Sequence, residues 1–321
     1  MRGWRNCVIG LAISVVTWAA CAQGFPAKPI RIVVPFGAGG VADLTARIVA
    51  QKLSESLGQA VLVDNRPGAG GVVAGDAVAK AEPDGYTLLL MSNGTAVSVG
   101  LFKALPFDTL RDFAPISTLG TFDMVMVTGV SSRFSTLAEL IAFAKASPGK
   151  LNLGTINIGS TQNLAAELFK TVAGVDMQIV PFNGTPAVIS ALRGGQIDVA
   201  VEILGPVLTH INAKTLRALA MTGKQRSVVL PDVPTARESG LDSYEVSSWN
   251  ALAAPAKSPR NVIDRLNTDI AAALNAPDVR KKLQALNVEA RSSSPAQAAD
   301  LLASEIKRWN EVIVRARLPV Q

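Results

Sequence analysis

The chain has 321 residues, of which 49% are apolar, 17% charged and 5% aromatic, enough apolar content for a large core and too much for a disordered chain. Two cysteines (Cys7 and Cys21) and one histidine (His210) exclude a zinc site built from Cys and His and a disulfide-stapled fold, and leave any triad mechanism to His210 alone. The formal charge of +6 is scattered, with no basic run interleaved with aromatics, so nucleic-acid binding has no support.

Met1 to Ala22 has a basic start (Arg2, Arg5), an apolar run from Val8 to Ala20, and an A-x-A ending at Ala20-Cys21-Ala22. This pattern predicts a secretory signal peptide and export to the periplasm, because the run is too short to span a bilayer comfortably. Ala19-Ala20-Cys21 offers a rival ending, lipid attachment at Cys21, although Trp18 stands where Leu is usual. Cleavage removes two arginines and no acid, leaving 29 basic and 25 acidic residues.

Alternating strands and helices follow. Ile30 to Pro35 is a β-branched run that reads as a buried strand, and Val41 to Leu57 carries apolar residues at helical spacing before Gly58. Strands are predicted at Val61–Val63 and Thr87–Met91, with a helix at Val72–Lys80 and a turn at Glu82–Gly85 between them. A second set has strands at Met124–Thr128, Leu151–Thr155, Met177–Val180, Ile197–Val201 and Leu216–Met221. Its helices are predicted at Leu137–Lys145, Asn163–Val172 and Pro186–Leu192, with His210 on a further helix after Gly205-Pro206. The tail reads as a strand near Val246–Ala253 and helices near Val262–Leu274, Asp278–Leu286 and Ala296–Ala316. The order predicts two α/β lobes with parallel-dominated sheets flanked by helices. No flexible linker is evident, so the chain is expected to cross between lobes in strands, near residues 122–126 and 244–250.

The strand-to-helix junctions carry the chemistry. Phe36-Gly37-Ala38-Gly39-Gly40-Val41-Ala42-Asp43 satisfies a relaxed dinucleotide fingerprint, with Asp64 near the position of a ribose-binding acid. Its physics is more general, since glycines admit a close ligand and a helix start offers free N–H groups to any anion. A tight turn without a ligand is the other reading. Gly68-Ala69-Gly70-Gly71 repeats the G-A-G-G and reads as a plain turn or a second ligand loop. Two further junctions lie at Asn157–Asn163, where Ser160 or Thr161 can cap a helix, and at Phe182–Pro186. G-x-S-x-G is absent from the Ser160 junction, so it is no nucleophile elbow. Ligands bind beyond the carboxyl ends of strands in open α/β sheets, so such loops on two facing lobes make a cleft suited to a small carboxylate.

The chain resembles the substrate-binding proteins of tripartite tricarboxylate transporters, the Bug/TctC family, over roughly residues 25–316. The resemblance rests on Phe25–Arg31, on Val34–Gly40 with Asp43, on Asp64–Gly71, and on Pro83–Thr87. It continues through Ala165–Phe169, Gly194–Asp198, Leu216–Ala220, Pro231–Thr235 and Ser248-Trp249. It implies a two-domain periplasmic-binding-protein fold, type II-like, that closes on a ligand by hinge motion. The expected division is 1–22 for the signal peptide, 23–123 with 247–321 for one domain, and 124–246 for the other. The implied function is extracytoplasmic capture of a small carboxylate for membrane permease subunits, by a monomer without catalysis, metal or cofactor. A receptor for a sensor protein and a dinucleotide-binding enzyme are the alternatives.

Carried over by position, the ligand residues are Phe36, Ala38, Gly39, Gly40, Asp43, Ser92, Ser160, Thr161, Asn183, Gly184, Asp198 and Glu202. Asp43 either accepts from the ligand or caps its loop, and Asp198 either does the same or stiffens a strand end. Trp249 lines the cleft or fills the core, while Trp309 is expected in the core and His210 in a surface or packing role. The chain departs from the family pattern at four places. Ala38 stands for a common Pro, and Phe182-Asn183 for Tyr followed by Lys or Arg. Glu202 stands for a frequent Asp, and Asn250-Ala251 for an aromatic followed by Gly. Losing a cation at Asn183 and carrying Glu202 disfavours a second carboxylate, which predicts a monocarboxylate or an amine-bearing acid.

Overall fold

In the computed structural model, residues 24–315 and 320 are described, so the signal-peptide reading and the Cys21 lipidation site lie outside the described residues. The first half opens with β1 (Ile30–Val34), α1 (Val41–Leu57), β2 (Val61–Asn65), α2 (Val72–Ala79) and β3 (Thr87–Ser92). α1 forms as its periodicity predicts: Val41, Thr45, Ala46, Val49 and Leu53 bury one face, and Gly58 ends the helix at φ 64°. Next come α3 (Asn93–Leu101) and a 17-residue strand, β4 (Phe113–Gly129). The second half holds α4 (Leu137–Ala146), β5 (Asn152–Ile156), α5 (Thr161–Ala173) and β6 (Gln178–Phe182). It continues with α6 (Thr185–Arg193), β7 (Val199–Ile203), α7 (Leu204–Asn212) and β8 (Leu216–Met221). β9 (Ser247–Pro255), α8 (Arg260–Asn275), α9 (Pro277–Ala285), β10 (Val288–Ala290) and α10 (Pro295–Arg315) complete the chain.

The strands join in the order β2-β1-β3-β9-β4-β7-β5-β6, with β8 and β10 also on β4. Pairing is parallel among β2, β1 and β3 and among β7, β5 and β6, as the β-α-β order predicts. It is antiparallel at the centre, where β4 and β9 run against their neighbours, so the sheet is mixed. β4 is the strand that joins the halves. Phe113 to Asp123 pairs with β9, and from Met124 onward it pairs with β7 and β8. Its side chains alternate: Met124 and Met126 enter the larger core cluster, and Val125 and Val127 a smaller one beneath α6 and α7.

Only the last part of β4 and none of α3 or β10 is predicted from sequence. β4 carries Pro115 and Gly120 at two irregularities of its register with β9, which break the alternation. α3 is covered on most sides, with Asn93, Gly94, Ala96, Val97, Ser98 and Leu101 all buried, so it shows no polar face to read. Trp309 is fully buried and donates to Glu305 Oε2 at 2.9 Å. His210 lies on α7 with Nδ1 3.3 Å from Thr215 Oγ1, a local packing role. No helix among the described residues is long and apolar enough to cross a membrane.

Candidate functional site

A narrow cavity lies at the carboxyl ends of β1, β3, β5 and β7, where the two halves of the sheet face each other. Only about 30 Å³ of it is open to a water-sized sphere, so the space is nearly closed as it stands. Three helix starts form much of its wall. Gly40, Val41 and Ala42 come from α1, Thr161 and Gln162 from α5, and Gly184 and Thr185 from α6. The first amides of a helix have no intrahelical partner, and the helix dipole makes that end positive. Neither Gly40 nor Gly184, the residues before α1 and α6, supplies a side-chain cap. Among the described residues, no Lys, Arg or His lines the cavity. The arrangement suits an anion held by backbone amides and hydroxyls.

The loop after β1 is shaped by its glycines and one carboxylate. A Cβ on Gly37 would stand 2.5 Å from the carbonyl oxygen of Asn183, so the loop after β1 and the loop after β6 meet through a missing side chain. Gly39 takes φ 84° and donates its N–H to Asp43 Oδ2 at 3.0 Å. Asp43 also accepts from Arg47 Nε at 3.0 Å and Asn65 Nδ2 at 2.9 Å. Burial opposes its ionisation, but these hydrogen bonds prevail and hold the carboxyl below the usual carboxylate range. Both its oxygens are engaged, so Asp43 braces the loop.

The structure sorts the other predicted residues. Phe36, Gly40, Ser92, Thr161 and Gly184 line the cavity. Ser92 also caps α3, accepting from Gly94 N–H at 3.1 Å, and Thr161 Oγ1 lies 3.2 Å from Ser248 Oγ. Ala38 is exposed, and Asn183 meets the facing half through its backbone while the residue itself is exposed. Gly39 lies off the cavity wall. Ser160 caps α5 by accepting from Asn163 N–H at 3.1 Å. Asp198 stands just before β7, at the strand end away from the cavity, where it accepts from Asn152 N–H at 2.8 Å and stiffens that edge. Glu202 lies fully buried behind the wall, accepting from Thr185 Oγ1 at 3.0 Å.

Several wall residues escaped the sequence reading. Gly37 lies in the glycine loop that the sequence marks, while Val41, Ala42, Gln162 and Thr185 adjoin predicted residues. Ser248 and Asn250 were legible in principle: they alternate with Trp249 on β9, so the pair faces the cavity while Trp249 is buried in the core. Phe122, Ile156 and Ile203 are apolar strand residues that no local signal marks. Asn250 Nδ2 donates to Trp249 O at 3.1 Å and its Oδ1 has no protein partner.

The second glycine cluster forms a turn before α2 that meets the other half. A Cβ on Gly159 would stand 2.8 Å from Gly70 Cα, so two glycines let these loops touch. Asp64 accepts from Arg66 Nε at 2.9 Å, which occupies the acid of the dinucleotide reading. No group of three His, Cys, Asp or Glu among the described residues is placed to hold a metal.

Residues 45–318 match the family model described as tripartite tricarboxylate transporter family receptor. A protein encoded in the tcbD-tcbE intergenic region of Pseudomonas sp. (strain P51) is 39% identical over 320 residues, covering 98% of this chain and 95% of that protein. The solved structure of the periplasmic binding protein BugD superposes with a TM-score of 0.89 at 29% identity, covering 92% of this chain and 100% of that one. Rpa4515 of R. palustris, solved with adipate, gives a TM-score of 0.87 at 32% identity over 91% of this chain and 98% of its own. MatC of Rhodopseudomonas palustris, solved with malate, gives 0.86 at 32% identity over 90% of this chain and 100% of its own.

Proposed function

Because the chain belongs to the tripartite tricarboxylate transporter receptor family, a class of periplasmic solute-binding proteins, we propose that it captures a small carboxylate in this cavity and delivers it to membrane permease subunits. The observation that carries the reading is the convergence of α1, α5 and α6 starts on one narrow space whose wall, among the described residues, has no basic side chain. Adipate and malate in the two R. palustris relatives support the ligand class. Export by residues 1–22 brings the protein to that ligand.

The division into domains 23–123 with 247–321, and 124–246, follows the change of partner in β4 between Asp123 and Met124 and the start of β9 at Ser247. Closure brings the Gly37 and Gly70 loops against the Asn183 and Gly159 loops and completes the wall around the ligand. The amides of α1, α5 and α6 hold the carboxylate, and Ser92, Thr161 and Ser248 add hydroxyl donors. With no cation to meet a second carboxylate, acids carrying one charge are favoured.

A thermal-shift screen of butyrate, malate, adipate, citrate and NAD tests this. Carboxylates are expected to raise the melting temperature, by about 2.7 kcal/mol of added stability at a hundredfold excess over Kd. A shift with NAD alone, or with none of these, refutes the carboxylate reading, and a shift with malate, adipate or citrate but none with butyrate refutes the single-charge preference. Loss of uptake of the responding acid on deletion of the gene tests delivery to a permease against signalling to a sensor.

A further inference from the structure

One carboxyl beside the cavity has no part in the anion-holding role. Glu202 is on β7, next to the cavity-lining Ile203, and is fully buried. Its Oε2 accepts from Thr185 Oγ1 at 3.0 Å, Ile203 N–H at 3.3 Å and Gln162 Nε2 at 3.4 Å. Its Oε1 has no partner among the described residues. The neighbouring elements present Gln162 from α5, Thr185 from α6 and the cross-strand Val125 from β4, none of them ionisable. No charged group acts on it: burial pushes the carboxyl up to about 7 against the three hydrogen bonds.

The distribution of partners is that of a neutral acid. The oxygen with three donors behaves as the carbonyl, and the bare oxygen is where a proton sits without meeting another donor. Ionised, the same group would leave a buried and uncompensated negative oxygen. Gln162, Thr185 and Ile203 are at once the partners of Glu202 and part of the cavity wall, so a bound carboxylate stands one side chain away from it. The helix starts facing the cavity favour a negative ligand over an ammonium.

We propose that the pocket takes up a carboxylate with Glu202 protonated, so that ligand capture draws in a proton at this positioning residue. The proposal rests on the carboxylate reading of the cavity. If only the protonated protein binds, apparent affinity scales with its fraction, and the value near 7 gives a loss of about 25-fold between pH 6.5 and 8.5. Glu202→Gln keeps an acceptor for the three donors and cannot ionise, so its affinity is expected to stay flat over that range.

The test is isothermal titration calorimetry of the whole exported chain with butyrate, adipate and malate, at pH 6.5, 7.5 and 8.5. Two buffers of different ionisation enthalpy count the protons. Expected are net proton uptake by the wild type at pH 7.5 and 8.5, the fall in affinity, and the loss of both in Glu202→Gln. Binding without proton uptake, affinity that rises with pH, or the same pH dependence in Glu202→Gln overturns the proposal alone. Failure of butyrate, adipate and malate alike to bind overturns the carboxylate reading and this proposal with it. If Glu202→Gln does not fold, as its melting temperature at pH 6.5 shows, the wild-type proton count decides.

Discussion

Gly37→Ala is a single-methyl test of how the cavity closes. The added Cβ would sit 2.5 Å from the Asn183 carbonyl oxygen, where ordinary contact begins at 3.4 Å, so the two loops must part by about 0.9 Å at that point. The obstructing atom is backbone and cannot swing aside as a side chain does. Gly37 follows β1 and Asn183 follows β6, so the relief available is separation of the two halves. Overpacking of this kind costs about 1–3 kcal/mol. The strain falls only on the closed form, which converts it to a loss of ~5- to 150-fold in ligand affinity. Calorimetry with adipate or malate measures that loss, and small-angle scattering with and without ligand reads the missing compaction. The ligand-free melting temperature is expected to match the wild type, because an open molecule makes no such contact. Asn183→Ala leaves the oxygen in place and should not rescue Gly37→Ala. A Kd within twofold of the wild type, with compaction intact, refutes the reasoning.

Further outcomes follow from the same contacts. Glu202 keeps in the folded state a proton that the unfolded chain gives up near the ordinary value of 4.5, so wild-type stability falls as pH rises from about 4.5 to about 7. Glu202→Gln removes that loss, and urea midpoints should show it gaining about 3 kcal/mol on the wild type between pH 4 and pH 8; parallel curves contradict this. Asp43 has the opposite sign, with its carboxyl held below 3.8, so its contribution is present above that value and lost as pH falls through the folded-state value. Asp43→Asn is expected to cost about 1–2 kcal/mol at pH 7 and progressively less towards pH 3, which chemical denaturation at both pH values checks. Thr161→Val and Ser248→Ala each break the 3.2 Å hydroxyl contact across the cavity. A double-mutant cycle on adipate affinity should give a coupling of about 0.5–1.5 kcal/mol, and strict additivity would separate the two hydroxyls.

The fold was legible where one face of an element meets solvent. α1 and α10 show helical periodicity because their outer faces are polar, and β1 reads as a strand because its core residues are β-branched. α3 was hidden because burial on most sides removes the contrast that periodicity needs, and the first part of β4 because Pro115 and Gly120 interrupt its alternation. The site divides in the same way. Glycines announced the loops, since Gly37 and Gly39 answer to backbone demands that no other residue meets there. The polar side chains did not announce their roles, because Ser160, Asp43 and Asp198 look alike as ligand groups until their oxygens are seen to be engaged by Asn163, Gly39 and Asn152.

This also moves the determinant of ligand charge. From the sequence, the missing cation at Asn183 and the acid at Glu202 carry equal weight against a second carboxylate. In the structure Asn183 is exposed, and what it presents to the facing half is its carbonyl oxygen. Glu202 instead sits behind three wall residues with one oxygen unpartnered. A cation restored at position 183 would stand in solvent, where screening weakens its hold on a charge inside the cavity. Removing the ionisable group at position 202 changes the field within the low-dielectric wall itself, where each charge counts for more. The two substitutions therefore rank the determinants: Asn183→Lys should change dicarboxylate affinity by less than threefold, and Glu202→Gln should raise it at pH 8.5 by tenfold or more, about 30-fold at most. The reverse order in a calorimetric comparison at pH 8.5 would return the charge preference to the loop after β6.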